Sequence, residues 1–320
     1  MIVFMRLSNR LLLNLLLLNL LLLISLTACG ARSFGGPSDD GGLPADGTVP
    51  PDGLVRIYDT CGYVTVAHAQ DQDGPYGQES LRLYGAFYAE PWDFEGLHAG
   101  WPEPMLMETP DGVVCEVWYI SGMDGPMPPD PPEELDGGEV RVWAGIDGEG
   151  TLEIAFNGHS YETDYRSADG ASPWPSWISD SALALQVETT GSDVAAPLSR
   201  ELLLPDMPEI LLPPVSLDEP LTPDADGTHT IAWVPVDADR VEVHYSFNMD
   251  WDDAYFRCYL SSTYFTMKLP HEWLEQYSWG YGQMMVFAMN DRLAHEEDTL
   301  VSMRTVRIRR RSLNVLIWAD

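Results

Sequence analysis

The chain has one lysine, Lys268, and only 17 basic residues against 50 acidic ones. The resulting formal charge of −33 repels phosphate backbones and anionic lipid surfaces, so nucleic-acid binding is excluded. Cysteine is scarce, at four residues, too few for a disulfide-framed scaffold. No two of His68, His98, His159, His229, His244, His271 and His295 stand four residues apart, so the zinc motif H-E-x-x-H is missing. There is no G-x-S-x-G elbow, Walker loop or dinucleotide fingerprint. These absences remove the motif-bearing routes to catalysis, and the chain reads as non-enzymatic with no resident cofactor. Helix-periodic stretches are also few. Gly and Pro instead separate many short apolar alternations, which predicts an all-β protein of sandwich-like units.

The one long apolar run lies at the start. Residues 1–10 carry Arg6 and Arg10 and no acid, and residues 11–24 are almost pure leucine, broken by Asn14 and Asn19. That run falls short of the roughly 20 residues a spanning helix needs. With its basic flank it reads as a secretory signal over residues 1–28, the alternative being an uncleaved anchor. Leu26-Thr27-Ala28-Cys29-Gly30 resembles the lipobox of bacterial lipoproteins. The resemblance implies that Cys29 receives a diacylglycerol, that the chain is cut just before it, and that the new amine is acylated, commonly with palmitate. One acyl chain binds a bilayer only marginally, whereas several hold firmly. Gly30 in place of an acid implies, by the family's sorting pattern, the outer membrane. Removing the leader takes away its two arginines and no acid, which makes the protein more negative still.

After the leader, residues 29–53 are rich in Gly, Pro and Asp and cannot bury enough surface to fold, so they read as a disordered tether. Residues 54–204 read as a first β-sandwich-like domain, with strands expected at residues 54–58, 63–67, 81–88, 113–120, 139–143, 152–156 and 182–187. Pro205, Pro208, Pro213, Pro214, Pro220 and Pro223 mark a stiff connector over residues 205–223, part of which can pair as an edge strand. Residues 224–311 read as a second domain, with strands at 230–234, 240–247, 256–260, 284–289 and 301–308 and a short helix at 270–276. Within it, Val241-Glu242-Val243-His244-Tyr245-Ser246-Phe247 alternates apolar and polar residues, the mark of a strand with one buried face. Its length, its short strands and Trp233 on an early strand resemble a fibronectin-III or immunoglobulin-like sandwich. Residues 312–320 read as a C-terminal tail, with a last strand over the apolar run 313–318 as the alternative. The layout also resembles bacterial envelope lipoproteins with two β-domains behind a tether. The likeness rests on Leu135-Asp136-Gly137-Gly138-Glu139-Val140, Ile231-Ala232-Trp233-Val234-Pro235 and Ala238-Asp239-Arg240-Val241-Glu242-Val243, and it implies an architecture without an activity.

Three groups of residues are candidates for chemistry. With Cys29 lipidated, three cysteines remain, which allows one internal bridge. Cys61 and Cys115 are expected to form it, leaving Cys258 as a buried thiol. Asp71, Asp73, Asp250, Asp252 and Asp253 offer the clustered hard oxygens that calcium prefers, although Asp and Gly are also ordinary turn residues. Trp174 and Trp177 stand in Pro-flanked loop contexts and are candidates for stacking on a sugar or gripping a peptide. Arg304, Arg307, Arg309, Arg310 and Arg311 are expected to pair with an acidic face. Together these readings describe a non-catalytic binding or structural module, held by lipid in the cell envelope and meeting a protein or polysaccharide there. Calcium-stabilised adhesion, or a hydrolase acting on an envelope polymer, are the alternatives.

Overall fold

The computed structural model describes residues 59–72, 79–89, 104–121, 133–144, 151–158, 161–166, 175–179, 183–213, 221–249, 252–277 and 281–314. The expected leader, tether and first strand, over residues 1–58, lie outside them. Strands make up 66% of the described residues and helix 3%, so the all-β expectation holds. In chain order the strands begin with β1 (Thr60–Asp71), β2 (Glu79–Tyr88), β3 (Met105–Glu108), β4 (Val114–Ser121), β5 (Val140–Ala144) and β6 (Leu152–Ile154). There follow β7 (Tyr161–Arg166), β8 (Leu183–Thr189), β9 (Leu198–Leu204), β10 (Ile210–Leu212) and β11 (Thr228–Trp233). The last are β12 (Arg240–Met249), β13 (Asp252–Ser261), β14 (Thr266–Pro270), β15 (Tyr281–Glu296) and β16 (Thr299–Asn314). The helix α1 (His271–Tyr277) follows β14, so Pro270 closes a strand and does not open the helix.

These strands form three sheets. The main sheet has nine strands in the order β3-β4-β13-β12-β15-β16-β1-β2-β7, and the smaller ones run β6-β5-β8-β9 and β10-β11-β14. All pairs in the main sheet are antiparallel except β1 with β16, which run parallel from Thr60↔Thr299 to Asp71↔Arg310. Both small sheets cover the same face. The three-stranded sheet, with α1, closes a core in which Ile231, Trp233, Met267 and Leu274 meet Val243, Phe256 and Val286. The four-stranded sheet closes a second core, where Val142, Val187 and Leu202 meet Val64, Leu83 and Met303. β-Branched and aromatic side chains at every second position supply both inner faces, as a pleated strand requires.

This topology corrects the expected division into domains 54–204 and 224–311. The main sheet interleaves strands from both stretches, because β13 pairs with β4 and β16 pairs with β1. Among the described residues, the strands of the second stretch do not make a sandwich of their own but are shared between the main sheet and the three-stranded one. The proline-rich connector changes small sheets without separating folding units. Its carbonyls are held by alternate residues of β16: Arg307 Nε donates to Pro205 O at 3.2 Å, Arg309 Nε to Pro208 O at 2.9 Å and Arg311 Nη2 to Ile210 O at 2.8 Å. Arg311 Nη1 also donates to Pro213 O. A buried carbonyl needs a donor, and where the prolines deny the connector a regular ladder the arginine side chains supply it. Arg304 meets Asp291 and Arg310 faces Asp71 at 3.9 Å, as the expected acidic pairing requires, while Arg307, Arg309 and Arg311 also reach the connector carbonyls. The edge of β10 is closed by one side chain. Gln72 accepts from Ile210 N at 3.0 Å and donates to Ile210 O at 3.0 Å, as a neighbouring strand would.

The stretch Asp136-Gly137-Gly138 has a packing role. A Cβ on Gly137 would stand 2.5 Å from the buried ring of Phe87, and one on Gly138, at φ +87°, would stand 2.2 Å from Gly191 O. Tyr161 fastens the same turn, accepting from Gly137 N at 2.7 Å and donating to Asp136 Oδ1 at 3.0 Å.

Candidate functional site

The densest set of titratable side chains lies on the face of the main sheet turned away from the two small sheets. β12 presents Val241, Val243 and Tyr245 to the apolar core, so Arg240, Glu242 and His244 point the other way. This second face is not solvated at its centre: Glu242 is 1% exposed and His244 2%. The expectation of one buried and one wet face is therefore corrected. The polar residues are buried because neighbouring strands supply every charge they need. Arg257 stands opposite His244 on β13 and grips Glu242 with two bonds, Nε to Oε2 at 2.9 Å and Nη2 to Oε1 at 3.2 Å. Such a bidentate pair is the geometry in which a buried carboxylate is tolerated. Arg240 Nε stands 3.3 Å from Glu242 Oε1 and 3.4 Å from Asp291 Oδ2.

Burial works to raise the Glu242 carboxyl, but Arg257, the His244 N–H and Arg240 outweigh it and hold the group well below the usual carboxylate range. Glu242 is therefore an acceptor, and His244 Nε2–H donates to it at 2.8 Å. His244 is itself pushed down by burial, against the pull of Glu242, so it is neutral and its Nδ1 accepts the Tyr255 hydroxyl proton. The chain of donors runs from Tyr255 to His244 to Glu242. Phe287 lies 4.0 Å from the imidazole, ring to ring, and Tyr259 lies 4.7 Å from the Arg257 guanidinium. Tyr259 in turn donates to Glu116 Oε2 at 2.6 Å.

A hydroxyl, an imidazole and a carboxylate in series is the order used to activate a nucleophile. Here the hydroxyl is a phenol, and burial raises its pKa despite the nearby Arg257. Activation requires the opposite shift. The relay therefore acts as a tie across β12 and β13, with each proton held in one place. The sequence signal for it was Glu-x-His on an alternating strand, which composition alone reads as a wet face.

A second histidine site lies on the covered face. His68 Nε2–H donates to Glu79 Oε1 at 2.6 Å, and Arg307 donates to His68 Nδ1. Arginine is always a donor, which fixes this tautomer. Burial first, and Arg307 and Arg309 next, lower His68 to about 3.

The residues singled out from sequence separate here. Cys115 pairs with Cys258, not with Cys61. The register explains the correction: Cys258 stands directly opposite Cys115 on adjacent strands, while β13, β12, β15 and β16 separate Cys115 from Cys61 on β1. Cys61 is also disulfide-bonded, with a partner outside the described residues. Trp177 is only 9% exposed and packs beside Ile178 in the core under the four-stranded sheet, so it is no stacking platform. Trp174 lies outside the described residues. Of the calcium candidates, Asp71 faces Arg310 at 3.9 Å. Asp252 and Asp253 open β13, their side chains undescribed, and Asp73 and Asp250 lie outside the described residues. Among the described residues no three metal-ligating side chains come together. The Asp224–Gly227 turn is held internally, with Asp226 accepting from Thr228 Oγ1 at 2.6 Å and pairing with Lys268. Cys29 lies outside the described residues.

No described helix is long and apolar enough to cross a membrane. No protein-family model matches the chain, and no curated protein is similar enough to it to match.

Proposed function

We propose that this is a lipid-anchored protein of the bacterial cell envelope, tethered through Cys29 to the outer membrane, and that it works by binding and not by catalysis. The observation that carries the reading is the Leu26-Thr27-Ala28-Cys29-Gly30 motif behind a basic, leucine-rich leader. The Cys115–Cys258 bridge supports the same address, because such bridges persist in oxidising compartments outside the cytosol. The Tyr255–His244–Glu242 relay supports a non-catalytic role, since its phenol is held protonated. A binding role is supported by the three-stranded sheet and its loops, where Leu211, Leu212, Val234, Tyr264 and Phe265 are all exposed. Large apolar side chains grouped in this way on a highly charged protein mark a contact surface for another macromolecule.

The test is intact mass and membrane fractionation of the native protein beside a Cys29→Ala variant. The expected wild type carries acyl mass and sediments with outer membrane, while the variant is unacylated and released. A soluble, unacylated wild type would overturn the anchor.

A further inference from the structure

The helix α1 is fastened over the edge of the core under the three-stranded sheet. Trp273, 5% exposed, lies stacked 6.2 Å from Phe256 with an interplanar angle of 8°, and Leu274 is fully buried beside it. Polar contacts hold the first residue of the helix to the β11 side. His271 N donates to Gly227 O at 3.0 Å. The ring of His271 meets the ring of His229, Nδ1 to Nε2, at 2.7 Å. His229 is 3% exposed on the inner side of β11.

A contact between two imidazole nitrogens needs one proton and no more: one nitrogen donates and the other accepts. If both rings become imidazolium, two N–H groups and two positive charges face each other at that distance. The contact is then repulsive, and it acts directly on the first residue of the helix.

We propose that the His229–His271 pair is an acid-operated clasp, which releases α1 and uncovers the apolar underside formed by Trp273 and Leu274.

The surroundings fit this device. Charged groups on the elements that meet the pair include Asp224 and Asp226 from the turn before β11, Lys268 from β14, which pairs with β11, Asp111, which binds Lys268 N, and Glu272 on α1 itself. Asp226 is occupied by Lys268 and Thr228, and Asp111 Oδ2 accepts from Lys268 N at 3.0 Å. Asp224 is the carboxylate that favours a charged His229, but it is engaged with Thr230, accepting from Oγ1 at 2.6 Å. Burial, and then the neighbouring His271, lower His229 to about 4 from 6.5. A lifted helix would give that ring back its ordinary affinity for protons. Acid therefore favours the open form, and the window lies between those two values.

The experiment follows Trp273 emission in the full chain, isolated as the difference from a Trp273→Phe variant. Expected on acidification is a reversible red shift and a rise in acrylamide quenching, half complete between pH 6.5 and about 4, while far-UV circular dichroism keeps its sheet signal. In His271→Gln the amide preserves one hydrogen bond but takes no second proton, so the change is expected to vanish or to move below that window. His229→Gln tests the same contact from the other side if His271→Gln does not fold. The proposal is overturned by a Trp273 signal that stays constant through the window. A Gln variant with the wild-type midpoint, or loss of the sheet signal at the same pH, would overturn it equally.

Discussion

His68 lies between Arg307, which can only donate, and Glu79, which can only accept, so one neutral tautomer satisfies both. A proton added to Nδ1 breaks the arginine contact. The folded-state value of about 3, against 6.5 for a free imidazole, means that the unfolded chain binds this proton first as acid is added. Stability is therefore complete above about 6.5 and declines as pH falls toward 3, by up to roughly 1.4 kcal/mol per pH unit from this one group. In urea titrations at several pH values, His68→Gln, which copies the neutral tautomer, should show a slope shallower by about one proton. An unchanged slope would mean that His68 already takes up its proton in the fold. At this scale the sequence was only half legible. The alternation of Val241, Val243 and Tyr245 marked the apolar face of β12 correctly, and all three are fully buried. Glu242 and His244 were read as wet because their partners, Arg257 and Tyr255, come from the next strand. A period-2 pattern says which residues share a face, but not whether that face is covered.

Among the elements, most strands with β-branched or aromatic alternation were legible: β1, β2, β4, β5, β6, β8, β11, β12, β13, β15 and β16 lie over expected runs. Those missed have weaker chemistry. β7 reads Tyr-Glu-Thr-Asp-Tyr-Arg, and β9 begins Leu-Ser-Arg-Glu before its apolar end. Both are made strands by their neighbours, which is why β-propensity is a weak guide outside a sheet context. Pairing was less legible than existence. Cys115 and Cys258 lie 143 residues apart, and only the β4–β13 register makes them neighbours. This bridge ties the β3–β4 end of the main sheet to its middle. Replacing both cysteines by alanine should cost about 2–5 kcal/mol in urea unfolding, as long-loop bridges do. Hydrogen exchange should show β3 and β4 losing protection before β12 and β15. Equal loss across the sheet, or none, would show that the bridge does not hold this end.

At the scale of the whole molecule, the charge, the all-β class and the proline-rich connector were legible, and the number of folding units was not. A connector looks the same whether it separates two domains or carries the chain from one small sheet to another over a shared one. Expressed separately, residues 54–204 and 205–320 should each lack fixed tertiary structure, with collapsed amide dispersion in NMR spectra, because each half loses main-sheet partners to the other. A well-dispersed spectrum from either half would restore the two-domain reading. The parallel pairing of β1 with β16 reaches further, into the life of the nascent chain. The first described strand finds its central neighbour only in a sixteen-residue strand near the end of the sequence. Until that strand arrives, β1 is an open edge of the β1-β2-β7 part of the sheet, and such delayed long-range closure is slow. A chain synthesised from its N-terminus must then wait, unfinished, until β16 emerges. A premature stop would leave behind an unsealed sheet ready for proteolysis, in place of a smaller working protein.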